Sequence, residues 1–76
     1  DLKLLIEGHT DNTGDFQKNM QLSNDRAVAV KTYLIENFNI DEGRLETMGL
    51  GQSRPTDTND TAEGKAKNRR VEIVKL

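Results

Sequence analysis

The sequence predicts a small two-layer α/β sandwich, and three observations carry that prediction. Residues 2–7 (Leu-Lys-Leu-Leu-Ile-Glu) are rich in branched apolar side chains and stop at Gly8, as a strand buried on at least one face does. Ala27, Val30, Leu34 and Phe38 recur at spacings of three and four, which places them on one face of a helix. Residues 70–76 (Arg-Val-Glu-Ile-Val-Lys-Leu) alternate polar and apolar, the period of a strand with one wet face.

The elements follow in order. After the first strand, residues 8–14 form a turn in which glycine supplies backbone angles that other residues avoid. Residues 15–20 read as a short helical turn. The main helix is expected over about residues 23–37, with Ser23 as its N-cap, because a serine oxygen accepts an orphan N–H. Asn24, Asp25, Lys31 and Glu36 lie mostly off the apolar stripe and form the solvated face. Residues 39–43 are turn-like, residues 44–49 alternate as a second strand, and residues 49–59 are a loop by composition. One or two helical turns over residues 61–67 lead into the last strand. Two strands joined through a helix predict a parallel crossover, with the helix packed on one face of the sheet.

Composition narrows the function classes. The 76 residues make one small domain or a piece of one, and a chain near this size buries only about 60% of the surface its unfolded form exposes. Three strands and one long helix are thin cover, and the chain starts inside a strand pattern. It reads as cut from something larger. Eleven basic residues against thirteen acidic ones give a net charge of −2, well mixed, which argues against nucleic-acid binding by phosphate neutralisation. The cluster Lys65-Ala66-Lys67-Asn68-Arg69-Arg70 is short and flanked by Glu63 and Glu72, more a solvated face than a duplex footprint. Apolar runs fall far below the length of a membrane span, so no membrane contact by this domain is expected. There is no cysteine, hence no disulfide.

The segment Gly8-His9-Thr10-Asp11-Asn12-Thr13-Gly14, followed by Asn19, Leu22-Ser23 and Arg26-Ala27, is the most informative stretch. It ends an apolar strand, turns, and enters a helix with one acid and one base held near each other. A carboxylate and a guanidinium so placed form a receptor for a zwitterion, because charge-assisted bonds are short and arginine grips a carboxylate through two of them. Free N–H groups ahead of the helix also suit an anion. The alternative is a surface ion pair between Asp11 and Arg26, worth about 0–1 kcal/mol.

Other chemistries find less support. His9, Asp11 and Ser23 form no expected triad, since no Gly-x-Ser-x-Gly elbow is present and Ser23 reads as a cap; His9 packs or makes a structural hydrogen bond. No catalytic residue is expected. One histidine and no cysteine predict no metal site, and residues 57–60 lack the glycine and glutamate of a calcium loop. No cofactor motif appears, and Gly8 and Gly14 are followed by no Gly-Lys-Ser/Thr. Of Arg69 and Arg70, one is expected to reach a carboxylate or ligand and the other to stay in water.

The string Ile6-x-Gly8-His9-Thr10-Asp11-x-x-Gly14, Asn19-x-x-Leu22-Ser23-x-x-Arg26-Ala27, Arg44-Leu45-x-x-x-Gly49-x-Gly51-x-x-x-Pro55 and Asn59-x-Thr61-x-x-Gly64-x-x-x-Asn68-Arg69-Arg70-Val71-Glu72-Ile73 resembles the OmpA-like C-terminal domain of the OmpA/Pal/MotB family. The resemblance covers nearly the whole chain in order. It implies that residues 1–76 are one OmpA-like β-α-β-(α)-β core with a mixed sheet, lacking the family's first strand and helix. It implies non-covalent binding of peptidoglycan through diaminopimelate of the stem peptide, on the periplasmic side of the outer membrane. By the same resemblance Asp11 takes the ligand's ammonium and Arg26 its carboxylate, assisted by N–H groups around Leu22 and Ser23. Thr10 and Asn19 line the site, and Asn68 and Arg70 stand on its rim. Lys65 stands where the family commonly has arginine. A structural or assembly domain that self-associates is the alternative, and a wall amidase built on His9 a third reading.

Overall fold

The structure, a computed structural model, describes residues 2–76. Strand β1 (Leu4–His9) leads through helix α1 (Phe16–Phe38) and a single 3-10 turn (Glu42–Arg44) to β2 (Leu45–Gly51). Helix α2 (Ala62–Asn68) then precedes β3 (Arg70–Lys75). The sheet order is β2-β1-β3, with β1 parallel to β2 and antiparallel to β3. The mixed sheet and the parallel crossover expected from the sequence are both present.

Alternation along β1 sorts its side chains. Ile6 and Gly8 face α1, whereas Leu5, Glu7 and His9 face the opposite side. Register carries the same parity outward: Ile6 sits beside Thr47 and Ile73, and Gly8 beside Gly49 and Val71. The core is Ile6, Ala27 and Leu45, packed by Leu4, Val30, Leu34, Ile35, Ile40 and Val71. Ile73 shares that face yet is 53% exposed, so α1 lies over β1 and β2 and leaves the far end of β3 open.

Helix α1 is longer than its apolar stripe suggests. It is one helix from Phe16, not a short turn followed by a helix at residue 23. Asp15 is the N-cap, its carboxylate accepting from Gln17 N at 2.8 Å. Ser23 lies mid-helix and fully buried, so it caps nothing at the N-terminus. Ahead of Ala27 the helix meets glycines: a Cβ on Gly51 would crowd Met20, one on Gly8 would overlap the Ser23 carbonyl, and one on Gly49 would crowd Asn24. Gly8 thus belongs to β1 and supplies room, not a turn angle. Gly14, at φ 89°, is the residue that supplies the angle. At the other end Phe38 is 61% exposed, leaving the stripe, and Asn39 closes the helix in the left-handed region at φ 54°.

Candidate functional site: the Asp11 turn

The turn begins where β1 leaves the sheet. The register with β2 shifts between Gly8 and His9, and Thr10 N then donates to Gly51 O at 2.9 Å. Thr10 and Asp11 are both buried. Thr10 Oγ1 donates to Asp11 O at 2.8 Å. Asn19 braces the turn from the second helical turn of α1, its Nδ2 donating to Thr13 O at 3.0 Å and to Gln52 Oε1 at 3.1 Å. Asn19 and Thr10 therefore shape the turn through its backbone.

The Asp11 carboxylate is engaged at both oxygens. Oδ1 accepts from Thr13 N at 2.8 Å, closing an Asx turn, and Oδ2 accepts from Arg69 Nη1 at 2.6 Å. The Thr13 N–H, reinforced by the Arg69 guanidinium, outweighs the opposing effect of burial and holds the carboxyl below its ordinary value of 3.8. Asp11 is ionised at neutral pH and fixed in direction.

Arg26 does not pair with Asp11. Among the described residues no carboxylate lies within 4.0 Å of it, and its side chain is half-buried. It stands seven residues beyond Asn19, on the same side of α1, with the 42% exposed Leu22 one turn before it. The residue that does pair with Asp11 is Arg69, whereas the family resemblance pointed to Arg70 as the arginine on the rim. Lys65 joins it, its Nζ donating to Thr13 Oγ1 at 3.1 Å.

Several expected rim or helper groups are placed elsewhere. Leu22 and Ser23 lie beyond the first four residues of α1, so their N–H groups belong to the helix ladder and are not free for an anion. Ser23 Oγ instead donates to Met20 O at 2.8 Å and accepts from Gly51 N at 2.9 Å, tying α1 to the end of β2. Asn68 is fully buried and its amide is spent on the preceding loop: Oδ1 accepts from Thr56 N and Asp57 N, and Nδ2 donates to Asp57 O and Asn59 Oδ1. Arg70 pairs across the sheet with His9 and so faces away from α1, where it bonds Glu72 and the carbonyls of Asn68 and Arg54. Neither lines the Asp11 turn with its side chain.

On that opposite face His9 is buried, and its Nε2 lies 3.4 Å from Glu7 Oε1 and 3.9 Å from Glu72 Oε2. His9 and Ser23 stand on opposite faces of the sheet, which rules out a His9–Asp11–Ser23 triad. Glu7, His9 and Glu72 bring three ligand atoms within 4.8 Å, a grouping the sequence reading missed because Glu72 arrives from β3. Their existing bonds oppose a metal. Arg70 already occupies Glu72, and a cation on Nε2 would force the imidazole proton onto Nδ1, which is buried without an acceptor. The cluster reads as a structural contact.

Fold and turn define a class: a small α/β domain that presents a fixed, ionised carboxylate at the end of its central strand, with an arginine on the adjoining helix that has no carboxylate partner among the described residues. The OmpA family model matches residues 1–69, and the chain belongs to the OmpA family. It is 48% identical over 67 residues to outer membrane porin F of Pseudomonas aeruginosa, an alignment covering 88% of this chain and 19% of that protein. It is 46% identical over 74 residues to the peptidoglycan-binding protein ArfA of Mycobacterium tuberculosis, covering 97% of this chain and 22% of that one. The crystal structure of the peptidoglycan-associated lipoprotein from Burkholderia pseudomallei superposes with a TM-score of 0.92 at 29% identity, covering 99% of this chain and 63% of that one. The chain thus spans about a fifth of the length of these curated relatives. No helix among the described residues is long and apolar enough to cross a membrane.

Proposed function

We propose that this domain binds peptidoglycan non-covalently, through the zwitterionic end of diaminopimelate in the stem peptide. The observation that carries this reading is the asymmetry of the turn: Asp11 is ionised and aimed, while Arg26 is half-buried with no carboxylate within 4.0 Å among the described residues. A guanidinium on the helix that follows a fixed carboxylate's turn is complementary to a carbon bearing both ammonium and carboxylate. Asp11 takes the ammonium through Oδ2, which retains a lone pair beside Arg69. Arg26 takes the carboxylate through two parallel bonds. Leu22, one helical turn from Arg26, offers its exposed side chain to the ligand's methylene chain. Thr10 and Asn19 act by holding the turn in shape, and Ser23 by fixing α1 against β2.

The family membership and the relatives' own descriptions support the ligand class. Such binding tethers an envelope protein to the cell wall from the periplasmic side of the outer membrane, with no chemistry performed on the wall. Calorimetric titration with L-Ala-γ-D-Glu-meso-diaminopimelate, alongside Asp11→Ala and Arg26→Ala, tests the assignment. Wild-type binding that both folded variants lose supports it. A well-folded wild type that stays silent rejects it and favours the assembly reading, which predicts self-association in sedimentation instead.

A further inference from the structure

Helix α2 and its C-cap bring two cations onto residues 11–13, and among the described residues only one of them has a carboxylate partner. Lys65 and Arg69 are four residues apart, with Arg69 N donating to Lys65 O at 3.1 Å, so their side chains leave the end of α2 on one side. Arg69 is committed to Asp11. Lys65 is held over the turn by its bond to the Thr13 hydroxyl, yet among the described residues no carboxylate lies within 4.0 Å of its Nζ. An ammonium has three donors, and Thr13 takes one. The turn therefore carries one negative and two positive charges even before Arg26 is counted.

We propose that Lys65, steadied by Thr13 and backed by Arg69, is a second anionic subsite that takes a carboxylate separate from the one held by Arg26. The ligand class is a peptide with a zwitterionic amino-acid end and at least one further carboxylate. This rests on the zwitterion reading above. Asp11 makes no ion pair with Lys65: its Oδ1 is turned to Thr13 N and its Oδ2 to Arg69, and its nearer carboxylate oxygen stays beyond 4.0 Å of Lys65 Nζ. A ligand with a single carboxylate would leave Lys65 in water, whereas one with two would neutralise the turn.

The test compares two peptides on the same domain. One is L-Ala-γ-D-Glu-meso-diaminopimelate; the other is amidated at every carboxyl except that of the zwitterionic end. Wild-type protein is expected to bind the acid form about two- to five-fold more tightly, the size of one solvent-accessible charge pair. Added salt shrinks the preference, since such a pair is screened. Lys65→Met, which keeps the stem and removes the charge, brings the two affinities together, and Lys65→Arg preserves the gap. Equal wild-type affinities for the two peptides overturn the second subsite while leaving the zwitterion clamp standing. A preference that survives Lys65→Met in a variant with wild-type circular dichroism assigns it to another cation and also overturns the proposal. Binding of neither peptide removes both readings together. Should Lys65→Met fail to fold, the wild-type comparison and its salt dependence decide alone.

Discussion

Arg69 Nη1 lies 2.6 Å from Asp11 Oδ2, joining residues 58 positions apart and holding the carboxylate in one direction before any ligand arrives. The Thr13 N–H at 2.8 Å from Oδ1 fixes the other oxygen. On the proposed function, a ligand ammonium would meet a preorganised acceptor and little ordering free energy would be lost on binding. Arg69 is about half exposed, and its pairing contributes direction more than stability.

Asp11→Asn keeps the size of the side chain and the acceptor for Thr13 N, and removes both the charge and the bond to Arg69. On the zwitterion reading it costs about 1.5–3 kcal/mol of binding, roughly ten- to a hundred-fold in Kd, as does Arg26→Ala. Isothermal calorimetry with the diaminopimelate tripeptide reads both. An Arg26→Ala variant binding as tightly as wild type would remove Arg26 from the site.

Acid should weaken the fold in a defined window. Asp11, Asp57 and Glu72 all have folded values below their ordinary 3.8, 3.8 and 4.5, lowered chiefly by the Thr13 N–H, the Thr58 N–H and the Arg70 guanidinium respectively. A depressed folded value contributes stability that is full above the unfolded value and lost as pH falls through the folded one. Urea midpoints should therefore not respond to these groups between about pH 7 and 5, and should decline below about pH 4. Ligand affinity should fall in the same acid range as Asp11 takes up its proton.

Gly8→Ala places a methyl into the Ser23 carbonyl, which is backbone and cannot swing aside. Overpacking of this kind costs about 1–3 kcal/mol, and each kcal/mol moves Tm by about 4–8 °C in a domain of this size. Gly14→Ala meets open space but must adopt φ 89°, at a cost of about 1–2 kcal/mol. Thermal melts of the pair separate crowding from backbone strain: only Gly8→Ala should also disturb the Ser23–Gly51 bond, visible as faster exchange of the Gly51 amide.

Asn68→Ala strips the loop before α2 of its organiser. The Thr56 and Asp57 amides lose their acceptor, at a cost of about 1–3 kcal/mol. Hydrogen exchange should accelerate at those two amides first. Because Asn68 acts through the loop and not through ligand contact, tripeptide affinity should change less than in Asp11→Asn.

Much of this architecture is written locally in the chain. Alternation in residues 70–76, the spacing of Ala27, Val30 and Leu34, and the run before Gly8 each place an element because local period and burial agree. The start of α1 was not legible: Met20, Ser23 and Asn24 pack on glycines, so closeness comes from missing side chains on another element, a signal that leaves no apolar stripe in the helix itself. At the site, the strand-to-helix turn identified Asp11 and Arg26 as chemistry-bearing residues. The resemblance pointed to Arg70 and not to Arg69, because which of two adjacent arginines reaches Asp11 is a question of parity that local sequence does not show. It is settled only when Arg70 takes its place opposite His9, turning Arg70 to the far face and leaving Arg69, just outside the strand, to swing toward the turn. Lys65 and Thr13, 52 residues apart, were hidden for a similar reason.

The central position of β1 has a mechanical corollary. Anything gripped by the Asp11 turn pulls on the C-terminal end of that strand, roughly along its axis. Such a pull shears two ladders at once, the parallel one to β2 and the antiparallel one to β3, so that many hydrogen bonds must yield together. A grip mounted on an outer strand would instead be unzipped one bond at a time. On the proposed function, a load borne by the turn along β1 would be resisted through the whole sheet.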